Sequence, residues 1–186
     1  MSLPALGTIT DPARRHLGTA LWVGIIAGFF SGIVKFGWEV PFPPRTPERD
    51  ATNPPQALLE MLGMSPESTH ATYTYLGNEL PYVSFILHFA FAISFAMFYC
   101  VVAEYWPAIK MWQGAVFGVV VYAAFHIVLM PALDVIPAPW DQPLGEHASE
   151  FFGHIVWMWS IEIVRRDLRN RATGEPDAEI KVPVNS

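Results

Sequence analysis

The chain has 186 residues, of which 52% are hydrophobic and only 15% charged, and its mean hydropathy is +0.30. Soluble domains usually carry about 25% charged residues, so the composition argues against an ordinary soluble domain and indicates a single membrane domain, residues 1–186, in contact with the lipid bilayer. The net charge of −6 and the lack of a basic stripe argue against nucleic acid as a partner. The lone cysteine, Cys100, excludes an intrachain disulfide.

The first hydrophobic segment covers about residues 17–38 and is almost entirely apolar apart from Lys35. It follows a short polar leader that ends in Arg14 and Arg15. A membrane-crossing helix needs roughly 20 such residues. A cleaved signal peptide is the alternative, but the segment is long for one and no small-residue cleavage motif follows it. We therefore predict a retained first span.

A proline-rich, acidic connection follows over residues 39–80. Six prolines in its first half exclude a long helix there. Residues 56–62 place Ala57, Leu58 and Met61 on one face of a short helix. We expect this helix either at the membrane surface, over the polar side chains, or packed on the domain as part of the loop.

Two further hydrophobic segments, at about residues 82–106 and 111–133, are the second and third predicted spans. The link between them, residues 107–110, is so short that the two helices must be antiparallel neighbours. A second acidic loop, residues 134–146, leads into the fourth predicted span, about residues 147–168.

The fourth segment is the least uniformly apolar of the four, because it carries Glu150, His154 and Glu162. A helix this polar crosses a membrane only with its polar face inside a bundle. The remaining residues, 170–186, form a polar tail.

Basic residues decide the orientation of this arrangement. With four spans, the basic residues before the first, between the second and third and after the fourth all fall on one side, which the positive-inside rule makes cytoplasmic. The two acidic loops are then periplasmic and both termini cytoplasmic. The sequence thus predicts an all-α integral membrane bundle of four transmembrane helices with a Pro-rich periplasmic connection. The basic residues concerned are Arg14, Arg15, Lys110, Arg165, Arg166, Arg169 and Arg171.

Five ionisable side chains lie inside the hydrophobic segments, at a similar depth in the outer part of the membrane. The helical rise of about 1.5 Å per residue puts the three histidines among them roughly 8–10 Å along their helices. Because ionisable groups in hydrocarbon are costly, such a layer is a functional-site hypothesis. The candidate proton-sensing or ion-binding residues are Lys35, His88, His126, Glu150 and His154.

Three explanations of this layer stay open. Histidine changes charge between about pH 5 and 8, so the layer can relay or sense protons. Neutral imidazoles and a carboxylate also suit a divalent metal, although the spacing matches no specific metal signature, so the metal and any cofactor are left undetermined. Each histidine can instead make an interhelical hydrogen bond. His147 would extend the set that faces the bundle on the fourth segment.

Glycines recur at four-residue intervals in two of the spans, at Gly24, Gly28 and Gly32 and at Gly114 and Gly118. Small residues at this spacing let helix backbones approach closely. The pattern serves packing either within the monomer or between subunits. We expect a homo-oligomer, because a small four-helix unit gains cover by association.

A weaker polar set lies towards the opposite, inner side of the predicted bundle. Glu104 ends the second span, and Glu162 precedes Arg165 and Arg166 at helical spacings of three and four. Such spacings favour salt bridges. We interpret the set as charge compensation near the interface.

Several stretches resemble the YagU-like family of small bacterial inner-membrane proteins. They are VKFGWEVPFPPR at residues 34–45, YCVVAE at residues 99–104, WQG at residues 112–114, SEFFGHIVW at residues 149–157 and RRDLRNR at residues 165–171. The resemblance implies a location in the bacterial inner membrane and an association with acid tolerance. It implies histidine at the positions of His88 and His126 but not of His147, and it supplies no catalytic residue or ligand.

We therefore expect a non-enzymatic protein of the acid-stress response, acting on protons or small ions as a proton-sensitive channel, transporter or sensor. Two alternatives remain: a metal-dependent membrane enzyme that uses the same residues, and a structural or assembly subunit of a larger membrane complex. The common enzyme signatures, such as the P-loop, G-x-S-x-G and H-E-x-x-H, are absent from the sequence.

Overall fold

The structure is a computed structural model and describes residues 6–177. These residues are mostly helical, as predicted, and the elements follow one another in this order: α1 (Leu17–Glu39), α2 (Pro54–Met61), α3 (Pro66–Thr69), β1 (Tyr73–Tyr75), β2 (Asn78–Leu80), α4 (Tyr82–Tyr105), α5 (Ala115–Ala132) and α6 (Leu144–Thr173). The four long helices α1, α4, α5 and α6 form a bundle. One end of it carries residues 40–81 and 133–143, and we call it the loop end. The other end carries residues 6–16, 106–114 and 174–177, and we call it the terminal end.

The glycines of α1 bring it against α4. A Cβ atom added at Gly24 would lie 2.5 Å from the Met97 Cα, and one added at Gly28 would meet the Ile93 backbone. In α5, a Cβ at Gly118 would lie 2.6 Å from the His154 carbonyl oxygen on α6. The glycine pattern therefore serves packing within the monomer, one of the two alternatives that the sequence left open.

Aromatic rings fill the space between α4 and α5 at the middle of the bundle. Phe91 and Phe95 of α4 contact Phe125 of α5, with ring centroids 5.2 Å and 5.4 Å apart, and Trp157 of α6 packs beside them. The neighbouring Met158 is fully buried. These side chains form an apolar layer across the bundle.

Three helices in the described part of the chain are long and apolar enough to cross a membrane: α1, α4 and α5. Helix α6 is longer, at 30 residues, but more polar. Six of its ionisable side chains face inwards and are buried, whereas Asp167 and Arg171 near its end are exposed. The buried ones are Glu146, Glu150, His154, Glu162, Arg165 and Arg169. The predicted polar face inside a bundle is thus present, and α6 packs against both α1 and α5.

The helix boundaries differ from the predicted ones in α5 and α6. The third helix begins at Ala115 rather than near residue 111, because Trp112, Gln113 and Gly114 all have positive φ angles that a helix cannot accommodate. Helix α6 continues to Thr173, into the predicted polar tail. Residues 178–186 of that tail lie outside the described part.

The connection at the loop end is more structured than the sequence suggested. The predicted short helix is present as α2, capped by Asn53, whose side chain accepts from the Gln56 N–H. The antiparallel hairpin of β1 and β2 was not predicted. It pairs Tyr73 with Leu80 and turns at Leu76 and Gly77, both with positive φ.

Candidate functional site

Glu150 is the centre of the polar layer at the loop end of the bundle. It lies on the inward face of α6 and is 6% exposed. One carboxylate oxygen, Oε2, lies 3.1 Å from Lys35 Nζ, 3.6 Å from His126 Nε2 and 3.7 Å from His154 Nδ1. The other oxygen, Oε1, lies 3.4 Å from Arg45 Nη1. We call these five residues the Glu150 cluster.

Lys35 joins the cluster from α1 and is itself 7% exposed. Its ammonium group donates to Glu150 and, at 2.6 Å, to Glu39 one helical turn further along α1. A buried cation is tolerated where it is paired and hydrogen-bonded. Glu39, which the sequence analysis placed in the connection, is therefore part of the surroundings of the site.

His126 lies in the middle of a π-helical segment of α5, residues 123–129. π-helical turns are rare and are frequent at functional sites. The imidazole of His126 stacks on Tyr122 and meets His154 edge-on, with ring centroids 5.7 Å and 4.9 Å apart. The two imidazoles thus come from facing helices and share one carboxylate.

The orientation of the His154 ring follows from a backbone contact. Its Nδ1 lies 2.7 Å from the Glu150 carbonyl oxygen, and because a carbonyl only accepts, Nδ1 carries the proton. In the neutral ring, Nε2 is then left with its lone pair, so that His154 can take up a proton there.

Arg45 was missed as a site residue, since the sequence places it in a loop. It comes from the proline-rich connection and pairs with Glu150 and with Asp50. One turn along α6, Glu146 pairs in the same way with Arg49 at 2.7 Å. The signal in the sequence is the matched spacing: two arginines four residues apart in an acidic loop, and two glutamates four residues apart on the helix.

A small cavity reaches the cluster from the loop end. It has a volume of about 140 Å³, and its lining includes Arg45, Arg49, His126, Glu146 and Glu150. Since a water molecule occupies about 30 Å³ in the liquid, there is space for a few waters. The cavity gives the buried cluster an approach from one end of the bundle.

His88, the fifth residue of the predicted layer, lies apart from this cluster. Its Nε2 lies 3.2 Å from the Gly32 carbonyl oxygen, and its ring stacks on Phe36 at 3.9 Å. The histidine thus makes an interhelical hydrogen bond between α4 and α1, which is the alternative that the sequence analysis gave for each histidine.

His147 is held in a separate chain of hydrogen bonds. Its Nε2 donates to the Pro139 carbonyl oxygen at 2.8 Å, so in the neutral ring Nδ1 accepts from the Tyr122 hydroxyl, also at 2.8 Å. Tyr122 in turn stacks on His126. His147 thus supports the cluster indirectly, by positioning Tyr122.

The electrostatic balance of the site suits a proton better than a divalent metal. His126, Glu150 and His154 each offer one atom within 4.8 Å of the others, which is close enough to share a cation. Lys35 and Arg45 already pair with Glu150, and they also pair with Glu39 and Asp50 respectively. A divalent ion would add two positive charges next to these two cations, whereas a proton adds one.

The weaker polar set at the terminal end is also assembled, with the expected pair of Glu162 and Arg165 and with further partners on other elements. Glu162 binds Arg165 through two hydrogen bonds, at 2.5 Å and 2.7 Å, and accepts another from the Tyr99 hydroxyl. Glu104 pairs with Arg169 at 2.8 Å. All four charged side chains are buried, so they are more than surface charge compensation.

Comparison with known proteins shows that the chain is similar to a bacterial inner-membrane protein and matches one protein family. The sequence profile of a family described as "Protein of unknown function (DUF1440)" matches residues 29–163. The protein named "Inner membrane protein YagU" of Escherichia coli (strain K12) is 42% identical over 199 aligned residues, which cover 95% of this chain and 97% of that protein. No solved structure matches the chain.

Proposed function

Since this chain belongs to the YagU-like family, described as a protein of unknown function (DUF1440), we propose that it is a multi-pass inner-membrane protein of the acid-stress response. We further propose that the Glu150 cluster is its proton-sensitive element. The inner-membrane location is supported by the name of the relative from Escherichia coli and by the three apolar helices.

The proposed topology has four crossings, with α6 as the fourth. Thirty residues at about 1.5 Å per residue give a helix of about 45 Å, which is enough to cross a bilayer with its headgroup regions. The charges along the middle of α6, from Glu146 to Arg165, are buried in the bundle, and the exposed ones lie in its last turns. The positive-inside rule then puts the terminal end in the cytoplasm and the loop end in the periplasm.

The observation that carries the proposal is the cavity from the loop end to His126 and Glu150. In the proposed topology this cavity opens towards the periplasm, the compartment that acidifies first when a bacterium meets acid. Protons therefore reach the cluster without crossing the membrane.

The charges around the cluster determine how it responds. When both imidazoles are neutral, the three cations Lys35, Arg45 and Arg49 face four carboxylates, so the first added proton balances the charge and the second is uncompensated. The carboxylates are those of Glu39, Asp50, Glu146 and Glu150. The titratable and charged groups in and around the cluster are Lys35 and Glu39 on α1, His88 on α4, Tyr122 and His126 on α5, Glu146, His147, Glu150 and His154 on α6, and Arg45, Arg49 and Asp50 in the connection.

Protonation weakens the contact between the connection and α6. An imidazolium at His126 or His154 competes with Arg45 for Glu150 and repels Arg45. Two like charges about 5 Å apart repel by about 3 kcal/mol at an effective dielectric constant of about 20. The ion pair between Arg45 and Glu150 is largely buried, with side chains 16% and 8% exposed, so this repulsion is only weakly screened by water. The repulsion opposes the pair, so acid loosens the connection where Arg45 holds it to α6.

Of the three expected activities, a sensor is favoured over a channel or transporter. Beneath the cluster, the aromatic layer of Phe91, Phe95, Phe125 and Trp157 fills the bundle. The cavity reaches the cluster from the loop end, and this aromatic layer lies between the cluster and the terminal end. This arrangement suits detection of protons more than their passage.

Acid survival tests the function. Bacteria that lack their own copy are given the wild-type protein, the double variant His126→Gln with His154→Gln, or His88→Gln as the matched histidine control. We expect survival with wild type and with the control, and loss of survival with the double variant at equal abundance in the membrane. Full survival with the double variant would contradict the proposal.

Proton flux into proteoliposomes separates the sensor from the channel and the transporter. A sensor gives no flux at pH 5 or pH 7. Flux that the double variant abolishes would instead assign transport to the cluster. A metal-dependent enzyme is the second candidate, favoured by the proximity of His126, Glu150 and His154; a stoichiometric metal in elemental analysis of the purified protein would support it.

The expected homo-oligomer stays a prediction. The glycines that were one reason to expect it pack inside the monomer, and α1 presents a row of large apolar side chains outwards, among them Ile25, Phe29 and Ile33. The mass of the complex in detergent, measured by light scattering, decides the number of subunits. A fixed second protein in the complex would favour the assembly-subunit alternative.

A further inference from the structure

A carboxylate from the end of the chain is buried between two cations at the terminal end of the bundle. Asp177 lies 2.5 Å from Lys110 Nζ and contacts the Arg165 guanidinium. Lys110 is 3% exposed, Arg165 1% and Asp177 4%. Lys110 belongs to the link between α4 and α5, whereas Arg165 belongs to α6, so one tail residue joins two separate elements.

The backbone after α6 turns back towards the bundle and positions the Asp177 carboxylate. Gly174 ends the helix in the left-handed conformation, with φ +66°, and turns the chain back. The Glu175 N–H donates to Thr173 Oγ1 at 3.2 Å. Arg169 donates to the carbonyl oxygen of Glu175 at 3.1 Å. The three residues between α6 and Asp177 are thus held against the bundle.

Asp177 is one of three buried carboxylates that meet buried cations at this end. Among the described residues, Lys110, Arg165 and Arg169 meet the carboxylates of Glu104, Glu162 and Asp177. Removing one partner of a buried ion pair is strongly destabilising, because the remaining charge is left in a poorly solvating interior. Asp177 therefore supplies a negative charge that stabilises the buried guanidinium of Arg165.

Arg165 offers more donors than its present partners use. Its Nε and Nη2 donate to Glu162 and Asp177, while Nη1 is buried with no hydrogen-bond partner within the described part of the chain. A buried guanidinium with free N–H groups is suited to bind a carboxylate through two parallel hydrogen bonds.

We propose that Lys110 and Arg165 form a carboxylate-binding site, and that the chain fills it with its own Asp177 as a tethered ligand. The short tether of three residues gives Asp177 a high effective concentration at the site. A small free carboxylate binds there when the Asp177 side chain is shortened. The site lies at the opposite end of the bundle from the Glu150 cluster and does not depend on the proposed function.

Chemical rescue tests the site. The full-length Asp177→Ala variant is purified in detergent with sodium formate, and its thermal unfolding midpoint is measured in formate and in sodium chloride of equal ionic strength. We expect a midpoint several degrees below that of wild type in chloride, and a rise with formate concentration that wild type does not show. Glu175→Gln, in the same tail, is the control and is expected to show no formate effect.

Two results would overturn the proposal: Asp177→Ala as stable as wild type in chloride, or a lowered midpoint that formate and chloride change equally. If Asp177→Ala does not fold even in formate, Asp177→Asn takes its place, since the amide keeps the shape and removes the charge. The proposal then predicts a lower thermal unfolding midpoint for Asp177→Asn than for wild type, and equal midpoints would contradict it.

Discussion

Arg45 and Glu150 are 105 positions apart in the sequence, and their side chains meet at 3.4 Å between Arg45 Nη1 and Glu150 Oε1. The contact joins the proline-rich connection to the buried face of α6. Nearby, Ser149 Oγ donates to the Phe42 carbonyl oxygen at 2.5 Å and Trp38 Nε1 donates to the Ser149 carbonyl oxygen at 3.0 Å. The loop end is thus fastened to α6 by both side chains and backbone.

Replacement of Glu150 by glutamine is expected to destabilise the protein by about 3–5 kcal/mol, because it leaves Lys35 without its buried carboxylate partner on α6. Chemical unfolding in detergent micelles measures the change. Glu67→Gln, at an exposed position, serves as the control and is expected to lie within about 0.5 kcal/mol of wild type. If the Glu150→Gln variant were as stable as the control, the charge of the Glu150 cluster would not be needed for folding.

Substitution of Gly24 by alanine is expected to weaken the α1–α4 contact, since the added Cβ would lie 2.5 Å from the Met97 Cα and the helices must separate. Overpacking of this kind costs typically about 1–3 kcal/mol. Gly37→Ala is the matched control in the same helix, because nothing lies within 4 Å of the added atom. The thermal unfolding midpoints of the two variants are compared with wild type, and equal midpoints for both would argue against close packing at Gly24.

The stabilisation by Asp177 is expected to depend on pH in a defined direction. Burial tends to raise the pKa of this carboxyl, but the charges of Arg165 and Lys110 outweigh it and hold the pKa below the ordinary value. A carboxyl whose pKa is lower in the folded state stabilises the fold above its unfolded pKa of about 4, and the contribution is lost as pH falls through the folded value.

The measurement is the difference in unfolding free energy between wild type and Asp177→Asn at several pH values. This difference should stay constant from pH 7 to pH 5 and shrink only as pH falls below about 4. A difference that grows on acidification would have the wrong sign for a carboxylate held by two cations.

The sequence indicated how far along each helix a residue lies, but not towards which neighbouring helix its side chain points. Hydrophobic length placed the helices to within a few residues. Lys35, His126 and His154, which counting along the helices put at one level with Glu150, contact its carboxylate in the structure. Counting does not determine how far each helix is rotated about its axis. His88 therefore shares the depth but points to the Gly32 carbonyl and away from Glu150.

Residues in loops and beyond helix ends were the harder ones to predict. Arg45 and Asp177 reach their partners through irregular backbone, whose course depends on tertiary contacts that no periodicity reveals. The π-helical segment around His126 is likewise invisible in the sequence pattern. The positive φ angles at Trp112 and Gln113 arise in residues without a strong turn preference, so the late start of α5 was not foreseen.

The central claim is that protonation of His126 and His154 releases the connection from α6. Hydrogen–deuterium exchange of residues 40–53, corrected for the intrinsic effect of pH and compared with residues 54–69 in the same sample, tests it directly. We predict protection of residues 40–53 at pH 7 and its loss at pH 5 in wild type, with no such change in the double variant His126→Gln, His154→Gln. Equal protection at both pH values, or the same loss in the double variant, would contradict the account.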